Sequence, residues 1–219
     1  MSARIVADDA VGRAAAVEVL RTGGIVAIPT DTVYGVAVAL ETPGGVERLF
    51  HVKRRPPDKG IVLLLGDAAQ AGSIGIIGPA AAALGDAFWP GALTVVVPRR
   101  PDASISAALT GGAPTIGLRV PDHPAPRALA EGVGPLPTTS ANVSGLPEAR
   151  NAAEIMAQLG EAIDLVLDGG PAHGGPASTV VDCTGDRPEV RRVGAIGVDR
   201  VVAVLDAAGI AHELGSWHA

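Results

Sequence analysis

The chain has 219 residues, of which 47% are hydrophobic and 18% charged, with a mean hydropathy of +0.34, which excludes a disordered chain and leaves ample material for a sizeable core. Aromatic residues make up only 2%, so Ala, Val, Leu and Ile must build that core, and an aromatic stacking platform for single-stranded nucleic acid is excluded. The net charge of −6 argues against binding nucleic acid by phosphate neutralisation alone, so any role for positive charge requires its concentration in one place.

The first stretch, MSARIVADDAVGRAAAVEVL, carries acids early and no apolar h-region, so it does not read as a signal peptide. Residues 10–21 have apolar positions at helical spacing and stop at Gly23-Gly24. IVAIPT (25–30) reads as a short strand. Residues 45–54 read as a helix that must end before Pro56-Pro57. GIVLLLGD (60–67) has the pattern of a buried strand, and no apolar run in the sequence exceeds the five residues of its IVLLL, far too short to cross a bilayer. PAAAALGDAFW (79–89) predicts a helix opened by proline. LTVVVP (93–98), TIGLRVP (115–121) and PLPTTS (135–140) predict strands, while HPAPRALAEG (123–132) and NAAEIMAQLGEA (151–162) predict helices. LVLDGG, STVVDCTG and EVRRVGAI supply three further strands, and GVDRVVAVLDAAG (197–209) the last helix, followed by a polar tail expected to fray.

Alternation of this kind predicts an α/β fold. The strand-to-strand steps near 89–120 and 165–196 lack a helix, which predicts a large twisted mixed sheet flanked by helices rather than a uniform parallel one. No linker separates a second domain, so a single domain over 1–219 is expected, with its core at about 12–206 and a terminal tail at 207–219. The single Cys183 excludes a disulfide within the chain and a paired-cysteine zinc site, and fits a reducing, cytoplasmic setting. It reads as a small buried hydrophobe. The scattered histidines give no metal-ligand spacing, so no protein-held metal is expected. Phosphate-binding loop motifs are missing, and the Gly-Gly pairs at 23–24, 44–45, 111–112 and 169–170 read as turns.

Three segments remain as candidates for chemistry. Pro29-Thr30-Asp31-Thr32-Val33-Tyr34-Gly35 places two hydroxyls and a carboxylate at a strand end, suited either to a small polar ligand or to capping a following helix. Lys53-Arg54-Arg55-Pro56-Pro57-Asp58-Lys59 gathers four cations in a stiff loop, suited to a polyphosphate or, more plainly, to a solvated surface. Leu136-Pro137-Thr138-Thr139-Ser140-Ala141-Asn142-Val143-Ser144-Gly145 offers uncharged donors and acceptors that could orient a ligand, or cap the helix after Asn151. Arg119 sits on an apolar strand, where a buried guanidinium requires an anion. Ser178 to Asp182, followed by Arg191-Arg192, again pairs hydroxyls with cations.

Taken in order, these segments resemble the YrdC/TsaC family. The resemblance runs from about residue 12 to 206 and rests on seven motifs. They are Pro29 to Gly35, Lys53-x-Arg55 with Lys59, Phe88-Trp89-Pro90-Gly91, Thr115 to Arg119 with Pro121, Ser140-Ala141-Asn142-x-Ser144-Gly145, Ser178 to Asp182, and Arg192-x-Gly194. It implies an open α/β fold with a deep basic cavity and a nucleotidyltransferase using ATP with Mg²⁺, L-threonine and bicarbonate. The product would be threonylcarbamoyl-AMP, passed to a tRNA-modifying transferase complex that makes threonylcarbamoyladenosine. The resemblance further implies Lys53, Arg55 and Lys59 as catalytic residues, with Arg55, Lys59, Thr115, Asn142 and Arg192 on ATP. Thr32, Arg119, Ser140 and Ser178 would hold threonine. Neither stable nucleic-acid binding nor membrane association is implied. The chain departs from the family pattern at Gly60, at Leu64 (where a histidine is usual), at Val193, and at Pro147-Glu148-Ala149-Arg150. The Leu64 departure keeps open a related carbamoyl-adenylate enzyme with another acceptor, and the basic charge of the cavity keeps open an RNA-binding module using it.

Overall fold

The computed structural model describes residues 2–54, 60–172 and 175–214. Helix α1 (Ala10–Arg21) starts where Asp9 accepts the Gly12 N–H at 2.8 Å, an N-cap that satisfies one orphan donor. Helix α2 (Gly45–Lys53) ends with Arg54 in the left-handed region at φ 49°, just ahead of the two prolines in the sequence. The short α3 (Ala71–Ile74) leads to α4 (Pro79–Phe88), which opens on its proline, and the short α5 (Ala107–Thr110) follows. Helix α6 (Pro124–Val133) is capped by His123, and α7 (Ala152–Leu159) by Asn151, whose side chain accepts the Glu154 N–H at 2.9 Å. Helix α8 (Val198–Ala207) is the last.

The strands among the described residues are β1 (Arg4–Ala7), β2 (Val26–Ile28), β3 (Gly35–Ala37), β4 (Val62–Leu64) and β5 (Leu93–Pro98), then β6 (Thr115–Arg119), β7 (Leu136–Ser140), β8 (Leu165–Asp168), β9 (Thr179–Asp182) and β10 (Glu189–Arg192). They form one sheet in the order β1-β8-β2-β3-β7-β4-β6-β5-β9-β10. Pairs β1–β8, β8–β2, β4–β6 and β5–β9 are parallel, and the others are antiparallel. The sheet is therefore mixed, as the missing crossover helices predict.

Alternate residues divide the core between the two faces. Val26, Ile28, Ala37, Leu64, Leu136, Leu165 and Leu167 share one cluster with Ala16 and Leu20 of α1 and Ala125, Leu129 and Ala130 of α6. Ala27, Val36, Leu63, Val95, Ile116, Leu118 and Val166 face the other way, under Leu49 of α2, Leu84 of α4, Ile155 of α7 and Leu205 of α8. Helices thus cover the second face broadly, whereas α1 and α6 cover only part of the first. Beyond β4, toward β10, no further helix of the described residues joins that first cluster, and that half-covered sheet sets the place of the site.

Several features differ from the sequence reading. Strands β1 and β3 and helices α3 and α5 were not anticipated: each is three or four residues long, too short for a periodicity to register. The reading of Asp31 or Thr32 as a helix cap fails, because the chain passes from that loop into β3 rather than into a helix. The segment after α8 is anchored as far as it is described. Leu214 is buried in the larger core cluster, and His212 Nε2 lies 2.9 Å from Asp206 Oδ1.

Candidate active site

A cavity of about 440 Å³ lies on the open half of the sheet. Its floor is every second residue of the strands beneath: Val62 and Leu64 of β4, Thr94 and Val96 of β5, and Thr115, Gly117 and Arg119 of β6. The residues between them, such as Leu63, Val95 and Leu118, fill the core on the other face. The loop between β2 and β3 forms one wall with Thr30 and Thr32, and Ser140, Ser178 and Arg192 close the others.

The loop wall is internally braced. The Thr30 hydroxyl donates to Val33 O at 2.6 Å and accepts the Thr32 N–H at 3.1 Å. Tyr34, also on the lining, reaches the loop after β8, where its hydroxyl donates to Gly170 O at 2.6 Å and accepts the Gly169 N–H at 3.0 Å. This bond ties the loop after β8 to the site. Gly170 has a φ of 81°, a turn that favours glycine.

Arg119, 6% exposed, finds the anion its burial requires in Asp31. Nη2 donates to Asp31 Oδ1 at 2.6 Å, Nη1 to Thr32 Oγ1 at 3.1 Å, and Nε to Gly91 O at 3.0 Å. Burial lowers the Arg119 pKa and the positive charge of Arg192 lowers it further, while Asp31 pulls it up; a guanidinium still keeps its proton.

Arg192 reaches the cavity because of a bulge. The register of β10 against β9 slips between Val190 and Arg192, so one residue is left over and Arg192 is turned to the cavity face while Val190 stays in the core. Its Nε donates to Ser178 O at 3.0 Å and its Nη2 to Ser178 Oγ at 3.1 Å. Ser178 Oγ is in turn 2.9 Å from Thr94 Oγ1. Arg191, the extra residue, pairs outside with Asp182 and Glu189.

Of the residues proposed from sequence, Thr32, Thr115, Arg119, Ser140, Ser178 and Arg192 line this one cavity. Lys53 and Asn142 stand behind its wall. Lys53 is 2% exposed, and its Nζ donates to Ser140 O, to Asn142 O at 2.6 Å and to Asn142 Oδ1 at 3.2 Å. Asn142 Nδ2 donates to Leu146 O at 2.8 Å, and its Oδ1 accepts the Ser140 hydroxyl at 2.6 Å. Both side chains therefore shape the turn that presents Ser140. Arg55 and Lys59 lie outside the described residues. The sequence reading assigned no role to Thr94, Gly117 or Glu148, which also line the cavity, as does Thr138 from the third candidate segment. A glycine inside the strand TIGLR and a lone threonine in LTVVVP were the available signals, since each marks a gap in an otherwise apolar strand.

Among the described residues no three His, Cys, Asp or Glu side chains are grouped to hold a metal. Asp31, the carboxylate beside the wall, is engaged with Arg119. The lining combines guanidinium cations with hydroxyls, and among the described residues it contains no histidine or cysteine. Such a set can orient and neutralise anions and lacks the imidazole or thiol that commonly serves as base or nucleophile. No helix of the described residues is long and apolar enough to cross a membrane.

The family model Sua5/YciO/YrdC, whose description reads "Telomere recombination", matches residues 18–194. The chain is 37% identical over 202 residues to a threonylcarbamoyl-AMP synthase of Bacillus subtilis, covering 90% of this chain and 57% of that protein. It is also 37% identical over 202 residues to a putative threonylcarbamoyl-AMP synthase of Mycobacterium tuberculosis, covering 91% and 92%. Pyrococcus abyssi Sua5 complexed with L-threonine superposes with a TM-score of 0.87 at 29% identity, over 97% of this chain and 62% of that one. Escherichia coli YciO superposes with a TM-score of 0.81 at 28% identity, over 90% and 98%. The chain thus spans little more than half of the longer relatives and nearly all of the shorter ones.

Proposed function

This chain belongs to the Sua5/YciO/YrdC family, and from that premise we propose that it is a nucleotidyltransferase that makes threonylcarbamoyl-AMP. The amine of L-threonine adds to CO₂ from bicarbonate and loses a proton, giving a carbamate. A carbamate oxygen then bonds to the α-phosphorus of ATP as the bond to the bridging oxygen breaks and pyrophosphate leaves. Such a transfer needs alignment and charge neutralisation more than covalent help from the protein.

The observation that carries this reading is the gathering of Arg119 and Arg192 with Thr32, Thr115, Ser140 and Ser178 around one cavity. In this assignment Arg119, Thr32, Ser140 and Ser178 receive threonine, with Arg119 on its carboxylate. Arg192 and Thr115 take the nucleotide, and the family resemblance assigns Arg55 and Lys59 to it as well. Lys53 and Asn142 act from behind by fixing the Ser140 turn. Mg²⁺ would arrive on ATP, as part of the substrate. The product would pass to a tRNA-modifying transferase in the cytoplasm, with residues 1–219 working as one domain.

Pyrophosphate release from ATP, Mg²⁺ and bicarbonate, with and without L-threonine, tests the proposal. Threonine-dependent release is expected; release that ignores threonine overturns it. Leu64 favours one second reading, a different acceptor, because it places an apolar side chain on the cavity floor in register with Arg119. Release that responds to valine or another apolar amino acid better than to threonine would select that reading.

A further inference from the structure

Asp31 is not on the cavity wall, although Thr30 and Thr32 on either side of it are. It reaches the site only through Arg119. Three pieces of chain hold that guanidinium, one at each nitrogen: Gly91 O on Nε, Thr32 Oγ1 on Nη1 and Asp31 Oδ1 on Nη2. Five N–H groups minus three leaves two for a ligand, with their plane already fixed. Asp31 supplies the only charge in this clamp, and its side chain is 14% exposed.

The second guanidinium makes that charge matter. Arg192 acts on Arg119 as a like charge, and its own fixed bonds are to the neutral Ser178. Arg192 is therefore left to attract a polyanion, while Arg119 is held back and largely neutralised. We infer that Asp31 is a positioning residue that reserves Arg119 for the single carboxylate of the amino-acid substrate and keeps it from joining Arg192 on the triphosphate. This inference rests on the function proposed above. Without Asp31, Arg119 would lose its one anionic partner, and the strongest remaining anion in the cavity would be the nucleotide.

The signature is a pair of opposite changes that a general loosening of the fold cannot produce. In Asp31→Asn, which keeps the size and an acceptor oxygen, KM for threonine should rise about tenfold. KM for ATP should fall, inhibition by inorganic pyrophosphate should tighten, and kcat should change by less than about threefold. In an Arg119→Ala background, adding Asp31→Asn should have no further effect on the threonine KM. Parallel rises in both KM values, or additive effects in the double variant, overturn the inference. An inactive wild type would refute the proposed function instead. The inference then stands or falls on the Arg119 guanidinium N–H resonances without substrate. They should be protected from water exchange in the wild type and exposed in Asp31→Asn; equal protection in both refutes the clamp.

Discussion

Replacing Lys53 by methionine removes an Nζ whose acceptors are Ser140 O, Asn142 O and Asn142 Oδ1. Methionine fills nearly the same volume, so the cost falls on the polar groups rather than on a cavity. Hydrogen bonds to a charged donor contribute about 1.5–3 kcal/mol each. With the charge-assisted bonds to two main-chain carbonyls lost in a buried setting, although Ser140 O keeps the Asn142 N–H, the loss should total about 3–5 kcal/mol. That is a large part of the roughly 5–15 kcal/mol typical of a folded domain. Divided by an m value of about 2–3 kcal/mol/M, it lowers the urea midpoint by about 1–2 M. Urea unfolding followed by circular dichroism measures this directly, alongside pyrophosphate release. A midpoint within about 0.3 M of the wild type, with activity lost, would refute the clamp and make Lys53 a ligand contact.

The other expectations are narrower. Arg192→Gln should raise KM for ATP about tenfold with little change in melting temperature, because Arg192 is exposed; an unchanged KM would remove it from the nucleotide. Tyr34→Phe should cost about 1–2 kcal/mol in urea unfolding, since one hydroxyl serves both Gly170 O and Gly169 N. Burial raises the Tyr34 phenol above its ordinary value, with Asp168 and Asp8 adding to it. Its contribution to stability is therefore complete below the unfolded pKa of about 10 and is lost as pH rises through the folded value. Ultraviolet difference spectroscopy on this single tyrosine checks the shift. Burial pushes the Cys183 thiol up to about 12, so iodoacetamide at neutral pH should label it only after unfolding; rapid labelling of the native protein would contradict that.

The long elements were legible because their signals are strong and local. The 3.6-residue spacing of α1, the proline opening α4 and the Asn151 cap of α7 each fix a boundary without reference to the rest of the chain. β1 and β3 were not, since RIVA and GVA acquire their meaning only from the strands beside them. For the site, the hydroxyl and arginine motifs identified most of the lining, yet they did not distinguish a side chain that faces the cavity from one that braces it. Lys53 and Asn142 differ from Thr32 and Arg119 in direction rather than in chemistry, and direction depends on pairing register. The bulge at Arg191 is the sharpest case: in a regular strand Arg192 would share the core face of Val190, and the one slipped residue, invisible in the sequence, puts it opposite Val180 on the cavity side instead.

The half-covered sheet has a consequence for mutational scanning. Along β4, β5 and β6 the floor and the core are the same strands read at alternating positions. Gly117 and Arg119 face the cavity, while Leu118 between them faces the core. A residue-by-residue scan through 115–119 should trace a sawtooth, with catalysis and folding failing in turn at successive positions. Adaptation of such a site proceeds under a parity constraint. A single substitution can retune the ligand without disturbing the fold, but an insertion or deletion of one residue in these strands exchanges the two roles at once.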